Sequence, residues 1–354
     1  MGEEKQGRSH VLPLLAIGAI TSVCGIAFGL SIHWFPTQAS EEAHDIDTLW
    51  DVLVIVSVPI FVLVETIVLY SVWKFRMRPG EELKDGPPIH GNTRLEVIWT
   101  AIPAIILVAL CSYAYVVLHD IEKAEASEMR VRVVGEQFTW TFYYPNPGGK
   151  EIASPQLYLP KGKQVKFLVQ SKDVLHDFWV PAFRQKIDAV PGLTTSYRVK
   201  PIKTGTFPVV CAELCGLGHA VMRQSAHVVT PGAYDKWFAA AKAKAAGGGG
   251  GTQPAGGGGG AAPDGKTIFT KTASPACGSC HTLSDAGTTG TIGPDLDKYL
   301  KGKDANFIQQ SIEDPSAYVE KRFPDGVMPA NYKQTLQPEE IKALTDYLVK
   351  VASK

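Results

Sequence analysis

The sequence predicts a multidomain membrane protein. A transmembrane helical hairpin, preceded by a signal peptide or an extra helix, leads into an all-β barrel or sandwich and then a separate C-terminal domain. Three observations predict this. Apolar runs long enough to cross a bilayer are confined to the first third. From Met129 the chain changes to short β-branched and aromatic runs separated by Pro and Gly. Two runs of glycine then interrupt it before a last segment whose end has helical apolar spacing. The expected boundaries are 1–40, 41–122, 123–232, 233–265 and 266–354.

The 354 residues carry 35 basic and 35 acidic side chains, a balance that gives no footprint for nucleic acid. The first apolar stretch, Val11 to Phe35, follows Lys5 and Arg8. It reads as a signal peptide cleaved near Thr37 to Ser40, or as a retained span. Cys24 invites a lipoprotein reading, against which Val23 before it is too bulky for that cleavage pattern. Val52 to Trp73 and Val97 to Leu118 are each roughly 33 Å long as helices, enough to cross the hydrocarbon core. Lys74, Arg76, Arg78, Lys84 and Arg94 lie between them, whereas Glu41, Glu42, Asp45, Asp47 and Asp51 precede them without any Lys or Arg. The positive-inside rule puts residues 74–96 in the cytoplasm and everything after about residue 119 outside. Glu65 within the second stretch reads as an interhelical hydrogen-bonding group or a helix-end acid. Glu96, taken alone, is a helix-start acid favoured by the dipole.

Val131 to Val134, Phe138 to Tyr143, Gln164 to Val169 and Ser196 to Val199 are the expected strands. Near the end of this region stand Cys211, Cys215, His219 and Met222, with His176 upstream. Two thiolates, two imidazoles and a thioether make a soft nitrogen-and-sulfur set, which selects copper over magnesium or calcium. The methionine favours copper over zinc. Cys211 and Cys215 could instead form a disulfide outside the cytoplasm, or the pairs of Cys and His could hold structural zinc. Neither alternative accounts for Met222 and His176 together.

On these residues, 129–232 resembles the outer copper domain of cytochrome c oxidase subunit II, and 45–122 resembles its two-helix membrane hairpin. The resemblance implies a cupredoxin-like Greek-key barrel with a dinuclear copper centre, CuA. It implies Cys211 and Cys215 as bridging thiolates, His176 and His219 as ligands of one copper each, Met222 as a weak ligand and Glu213 as a backbone-carbonyl ligand. It further implies that the Glu213 side chain faces a magnesium or manganese ion shared with the catalytic subunit, and that Glu96 stands at the mouth of a proton path. One position departs from the family. Its usual Gln-Trp-x-Trp motif, whose first tryptophan receives electrons from soluble cytochrome c, is here Gln137, Phe138, Thr139 and Trp140. Trp140 is expected to be a core aromatic.

Residues 233–246 read as a short helix closing the barrel, and 247–265 as a Gly-rich coil spanning roughly 25 Å. Such a tether holds its neighbours at millimolar effective concentration. Beyond it, Cys277, Cys280 and His281 form the Cys-x-x-Cys-His attachment signature of c-type haem. Met328 offers the second axial ligand, which raises the reduction potential. The pattern resembles a class I cytochrome c, an all-α fold. By that resemblance Pro294 packs by the haem, its carbonyl accepts from His281, and 337–349 is the terminal helix.

Together the two resemblances imply subunit II of a caa3-type cytochrome c oxidase in a bacterial plasma membrane, its copper and haem domains on the outer face. Electrons would pass from an external donor, a cytochrome or quinol-oxidising complex, through haem c and CuA to a partner catalytic subunit, subunit I, that reduces oxygen. Other oxidase subunits and membrane lipid are the further expected partners. The alternatives are a CuA and haem c subunit of a nitric oxide or nitrous oxide reductase, and a copper-binding assembly protein with an attached cytochrome.

Overall fold

The computed structural model describes residues 4–77, 79–80, 88, 90–246, 264–273, 275–330 and 332–353. The Gly-rich stretch 247–263, together with Arg78 and Lys84 of the orienting loop, lies outside them. The chain divides into two compact units, Met1–Pro36 with His44–Ile121, and Thr37–Ala43 with Glu122–Lys354.

In the first unit the described residues include three helices long and apolar enough to cross a membrane. They are α1 (Glu4–Ser31), α2 (Glu42–Phe75) and α3 (Thr93–Ile121). Gly25 and Gly29 bring α1 tightly against α2, since a Cβ at either would stand 2.8 Å from a methyl of Val58 or Val54. This small-xxx-small spacing lets two helix backbones approach where lipid supplies no hydrophobic drive. Beyond α1, the rings of Trp34 and Phe35 meet Trp50 edge-on at 5.6 and 5.4 Å. At the start of α3, Asn92 accepts from Leu95 N–H while its own N–H donates to Glu96. Glu96 thus closes the first turn, and Glu65 is half-buried within α2.

The second unit holds a two-sheet β domain. Its strands are β1 (Met129–Glu136), β2 (Thr139–Tyr144), β3 (Ile152–Ser154), β4 (Leu157–Pro160), β5 (Val165–Ser171), β6 (His176–Trp179), β7 (Lys186–Ala189), β8 (Thr195–Val199), β9 (Gly205–Cys211) and β10 (Arg223–Val229). One sheet runs β3-β2-β1-β5-β8, the other β4-β10-β9-β6-β7. β1 pairs parallel with β5, and β10 parallel with β4, so the chain must cross between sheets in Greek-key fashion. Alternation drives the packing: Val131 and Val133 point inward while Arg130 and Arg132 do not. Trp140, Phe142, Phe167 and Phe178 are fully buried between the sheets, each contributing about 1.5–3 kcal/mol of apolar burial. All five strands of the second sheet, and β3 of the first, escape a reading of strand runs.

Helix α4 (Pro231–Ala246) covers one side, with Trp237 stacked on Tyr158 at 4.4 Å. Residues just before α2 also belong to this unit. Ala39 donates to Ala182 and accepts from Ile202, Ser40 bridges Pro201, and the buried Glu42 carboxylate accepts Lys200 N–H.

The last domain contains α5 (Gly265–Thr267), β11 (His281–Leu283), β12 (Thr288–Thr291), α6 (Leu296–Tyr299), α7 (Ala305–Glu313), α8 (Tyr332–Thr335) and α9 (Pro338–Ala352). Helix α9 begins with a reciprocal capping box between Gln337 and Glu340, with Pro338 at its start. Its Ile341, Leu344, Thr345 and Leu348 form one buried stripe against Ile268, Phe269 and Ile308. The small hairpin β11–β12 is an addition to the expected helices. Thr288, Thr289 and Thr291 favour extended backbone there because their β-branched side chains are stiff.

Candidate functional site

Strands β6 and β9 are neighbours in the second sheet, and that adjacency assembles the first centre. His176 opens β6 and Cys211 closes β9, with Phe178 opposite Cys211 in the register. The chain then loops through Glu213, Cys215 and His219 to Met222, which returns into β10. Cys211 Sγ lies 3.8 Å from Cys215 Sγ and 3.9 Å from His176 Nδ1. Cys215 Sγ lies 3.7 Å from His219 Nδ1 and 3.7 Å from Met222 Sδ. The Glu213 carbonyl is 3.2 Å from Cys211 Sγ. His176 and Met222 are fully buried and both thiols nearly so, whereas His219 is half-buried and the Glu213 side chain is exposed.

Both cysteines are free thiols, which removes the disulfide alternative from this structure. The contact between the two sulfurs holds the Cys211 thiol well below its usual range against the cost of burial, and the same contact pushes Cys215 up. Two sulfurs, two nitrogens that face them, a thioether and a carbonyl converge in a dry pocket. That donor set fits soft, thiophilic copper and nothing that prefers oxygen.

A carboxylate absent from the sequence reading orients the site. Asp173 accepts from His176 Nε2 at 2.8 Å, and is itself held by the N–H groups of Gln137 and Val174 at 2.7 Å. Since Nε2 donates to Asp173, Nδ1 is the free lone pair, and it is the atom turned toward Cys211. Burial opposes charge on both groups. Even so, the hydrogen bonds leave Asp173 below the usual carboxylate range and His176 above its usual value. The Asp-x-x-His spacing was the available signal. Asp173→Asn is expected to weaken copper binding about 10–100-fold and raise the centre's reduction potential, since the imidazole loses an anionic partner. Copper titration and potentiometry on the same variant check this, and two unchanged values would sink it. The acid limb of stability should also flatten. A depressed folded pKa contributes stability that is complete above the unfolded carboxylate pKa and lost as pH falls through the lower, folded value.

Phe138 stands where the family usually has its first tryptophan, and it is only 3% exposed. Its ring lies across Gly218, where a Cβ would stand 2.3 Å from Cδ2. Gly218→Val is therefore expected to cost about 1–3 kcal/mol and to loosen the loop bearing Cys215 and His219. Chemical unfolding of the metal-free chain measures it, and an unchanged midpoint would contradict the packing argument. Trp140 is wholly buried, edge-on to His176 with ring centroids 5.8 Å apart.

The second centre is an apolar cavity in the last domain, walled by Phe269, Leu296, Ile308, Tyr332 and Leu344. Cys277, Cys280, His281, Pro294 and Met328 all line it. His281 Nδ1 donates to the Pro294 carbonyl at 2.9 Å, so Nε2 carries the free lone pair. Burial holds His281 below its usual pKa, leaving the imidazole neutral and able to ligate. Gly293 permits this approach, because a Cβ there would stand 2.4 Å from the His281 ring. An apolar cavity lined by two thiols, an imidazole and a thioether fits a covalently bound haem. Val327, beside Met328, packs against the core of the β domain.

A membrane anchor, a two-sheet copper-type β domain and a haem-type helical domain define a membrane-bound electron carrier. Three family models match in sequence: the cytochrome c oxidase subunit II transmembrane domain over residues 27–117, its periplasmic domain over 150–229, and cytochrome c over 262–352. Cytochrome c oxidase subunit 2 of Thermostichus vulcanus is 32% identical over 276 residues, 63% of this chain and 83% of that one. The subunit 2 of Alkalihalophilus pseudofirmus is 31% identical over 312 residues, 84% of this chain and 83% of that one. The crystal structure of the periplasmic domain of subunit II from Bradyrhizobium japonicum is 33% identical, covers 35% of this chain and 98% of that one, and superposes with a TM-score of 0.32. The chain belongs to the cytochrome c oxidase subunit II family, the electron-transfer subunit of haem–copper terminal oxidases, with a cytochrome c domain fused to it. Membership implies copper in the β domain and haem c in the last.

Proposed function

We propose that Cys211, Cys215, His176, His219, Met222 and the Glu213 carbonyl hold CuA, and that Cys277, Cys280, His281 and Met328 hold haem c, as in a caa3-type oxidase. When bound, these groups supply a one-electron relay from an external donor to the catalytic subunit. The observation that carries the reading is the convergence of both thiols on two imidazoles and one thioether, every neighbouring separation under 4 Å.

The chain's own contribution is rigidity and exclusion of water. Asp173 fixes one imidazole, Gln137 donates to the Cys215 carbonyl, and Phe138 seals the loop from above. A site whose ligands cannot relax changes little between oxidation states, which is what rapid electron transfer requires. Pro294 plays the corresponding part for His281. The packing of Val327 on the β domain supports delivery through the buried edge beside Met328, in place of a surface tryptophan. The exposed Glu213 carboxylate is free to meet a magnesium or manganese ion shared with subunit I, and Glu96 to serve the mouth of a proton path there. The charge of the loop after α2 supports copper and haem domains on the outer face of a bacterial plasma membrane.

Electron paramagnetic resonance and optical spectra of the full chain, copper-loaded and with haem attached, test the assignment. A multi-line mixed-valence copper signal beside a low-spin His–Met haem c is expected. A mononuclear or silent copper site would withdraw it.

A further inference from the structure

The inward face of β10 is not uniformly apolar. Met222, Gln224, Ala226 and Val228 are buried in alternation, and exposed Arg223 stands between the first two. Gln224 is therefore the first inward residue after the thioether of the copper loop, and its amide is engaged on both sides. Nε2 donates to the Thr139 hydroxyl at 2.8 Å and lies 3.5 Å from the Trp140 carbonyl. Oε1 accepts from Gln156 Nε2 at 3.3 Å, and Gln156 Oε1 accepts in turn from Ser225 N–H at 2.9 Å. Thr139 and Gln156 are buried as well. The network joins the two sheets, since Thr139 opens β2 in one, Gln224 and Ser225 stand in β10 of the other, and Gln156 lies just before β4.

Both ends of this network adjoin the copper loop. On β10, Met222 precedes Gln224 by two residues; its carbonyl accepts from Cys211 N–H at 3.2 Å, and its sulfur lies 3.7 Å from Cys215 Sγ. On β2, Thr139 directly follows Phe138, whose ring lies across Gly218. Stability alone does not account for these amides. Replacing both partners of a buried hydrogen bond by apolar groups of the same shape is nearly neutral, so leucine and valine would fill the same space at little loss. What the hydrogen bonds add is direction. Apolar contact between sheets tolerates small slips, whereas donors and acceptors that must meet within a few tenths of an ångström set the spacing and register.

We propose that Gln224, braced by Thr139 and Gln156, is a positioning residue for the copper centre. It fixes where β10 starts relative to β2, and so holds Met222 at its distance from Cys215 and the Phe138 ring over the loop. The inference rests on the copper reading above and adds to it three residues outside the donor set.

The test uses the full chain, metal-free and copper-loaded. In Thr139→Val/Gln156→Leu/Gln224→Leu the donors and acceptors of the network are removed together, so the loss of pairing is small. The unfolding midpoint of the metal-free variant should match wild type, whereas copper affinity should fall about tenfold, the low end of what loss of an outer partner costs. The copper potential should rise, because a looser thioether donates less to the oxidised centre. Amide exchange at Cys211, whose N–H is held by the Met222 carbonyl, should quicken before any metal is added. Thr139→Val alone should give the same changes in smaller degree, and Thr139→Ser, which keeps the hydroxyl, should behave as wild type. That pair decides the point where the triple variant does not fold. Affinity, potential and exchange all equal to wild type would overturn the proposal and leave the network a purely structural one. So would equal losses in Thr139→Val and Thr139→Ser. A wild-type chain without a mixed-valence copper signal would fault the copper reading instead.

Discussion

Cys215→Ser abolishes the coupled copper centre. Cys215 stands between Cys211, His219 and Met222, within 3.8 Å of each, so one substitution disconnects two other donors from the remaining thiolate. The copper-loaded variant should lose the mixed-valence spectrum and show at most a mononuclear signal. Electron delivery to the catalytic subunit should fall by more than the roughly 100-fold that loss of an outer partner costs. The β domain should remain folded, because the substitution exchanges one sulfur for oxygen while the bulk of the core, at Trp140, Phe167 and Phe178 between the sheets, is untouched. Resonance spectra and unfolding midpoints together decide the point. A retained mixed-valence signal would show that Cys215 is not a bridging ligand.

Met328→His lowers the potential of the haem by on the order of 0.2 V, a fraction of the roughly 0.8 V that axial ligands control. Met328 lines the same cavity as His281, and among the described residues that line it Met328 is the one thioether. At 59 mV per tenfold change for one electron, the equilibrium between an unaltered external donor and the haem shifts about a thousandfold against reduction. Turnover should fall while the copper spectrum stays intact, which separates this variant from Cys215→Ser. Potentiometric titration of the haem is the direct measurement, and an unchanged potential would mean that some other group is the sixth ligand.

The readable parts of both centres were those in which chemistry is carried by local spacing. Cys211, Cys215, His219 and Met222 lie on one short loop, and Cys277, Cys280 and His281 are almost consecutive, so their donor atoms are close whatever the rest of the chain does. His176 is different. It reaches the loop only because β6 is hydrogen-bonded to β9, a pairing between segments more than thirty residues apart. A family resemblance could supply His176, but no periodicity could. Asp173 is not legible in the sequence, since an aspartate in a turn is ordinary until its carboxylate is placed on the second nitrogen of His176. Phe138 could be named as a departure from the pattern, but its burial against Gly218 depends on how the loop folds back over β2.

By itself the sequence determined the three apolar spans, the change to alternating strands after Met129, the last helix and the identity of the soft-metal and haem motifs. Each rests on interactions between residues near in sequence, where period and residue type decide. The tertiary structure alone decided the partner of His176, the closing of residues 39–42 onto the 200–202 edge, and which lysines there keep a carboxylate. Those outcomes depend on long-range strand order and on competition among charges brought together by folding, and a linear pattern encodes neither in a form that can be read locally.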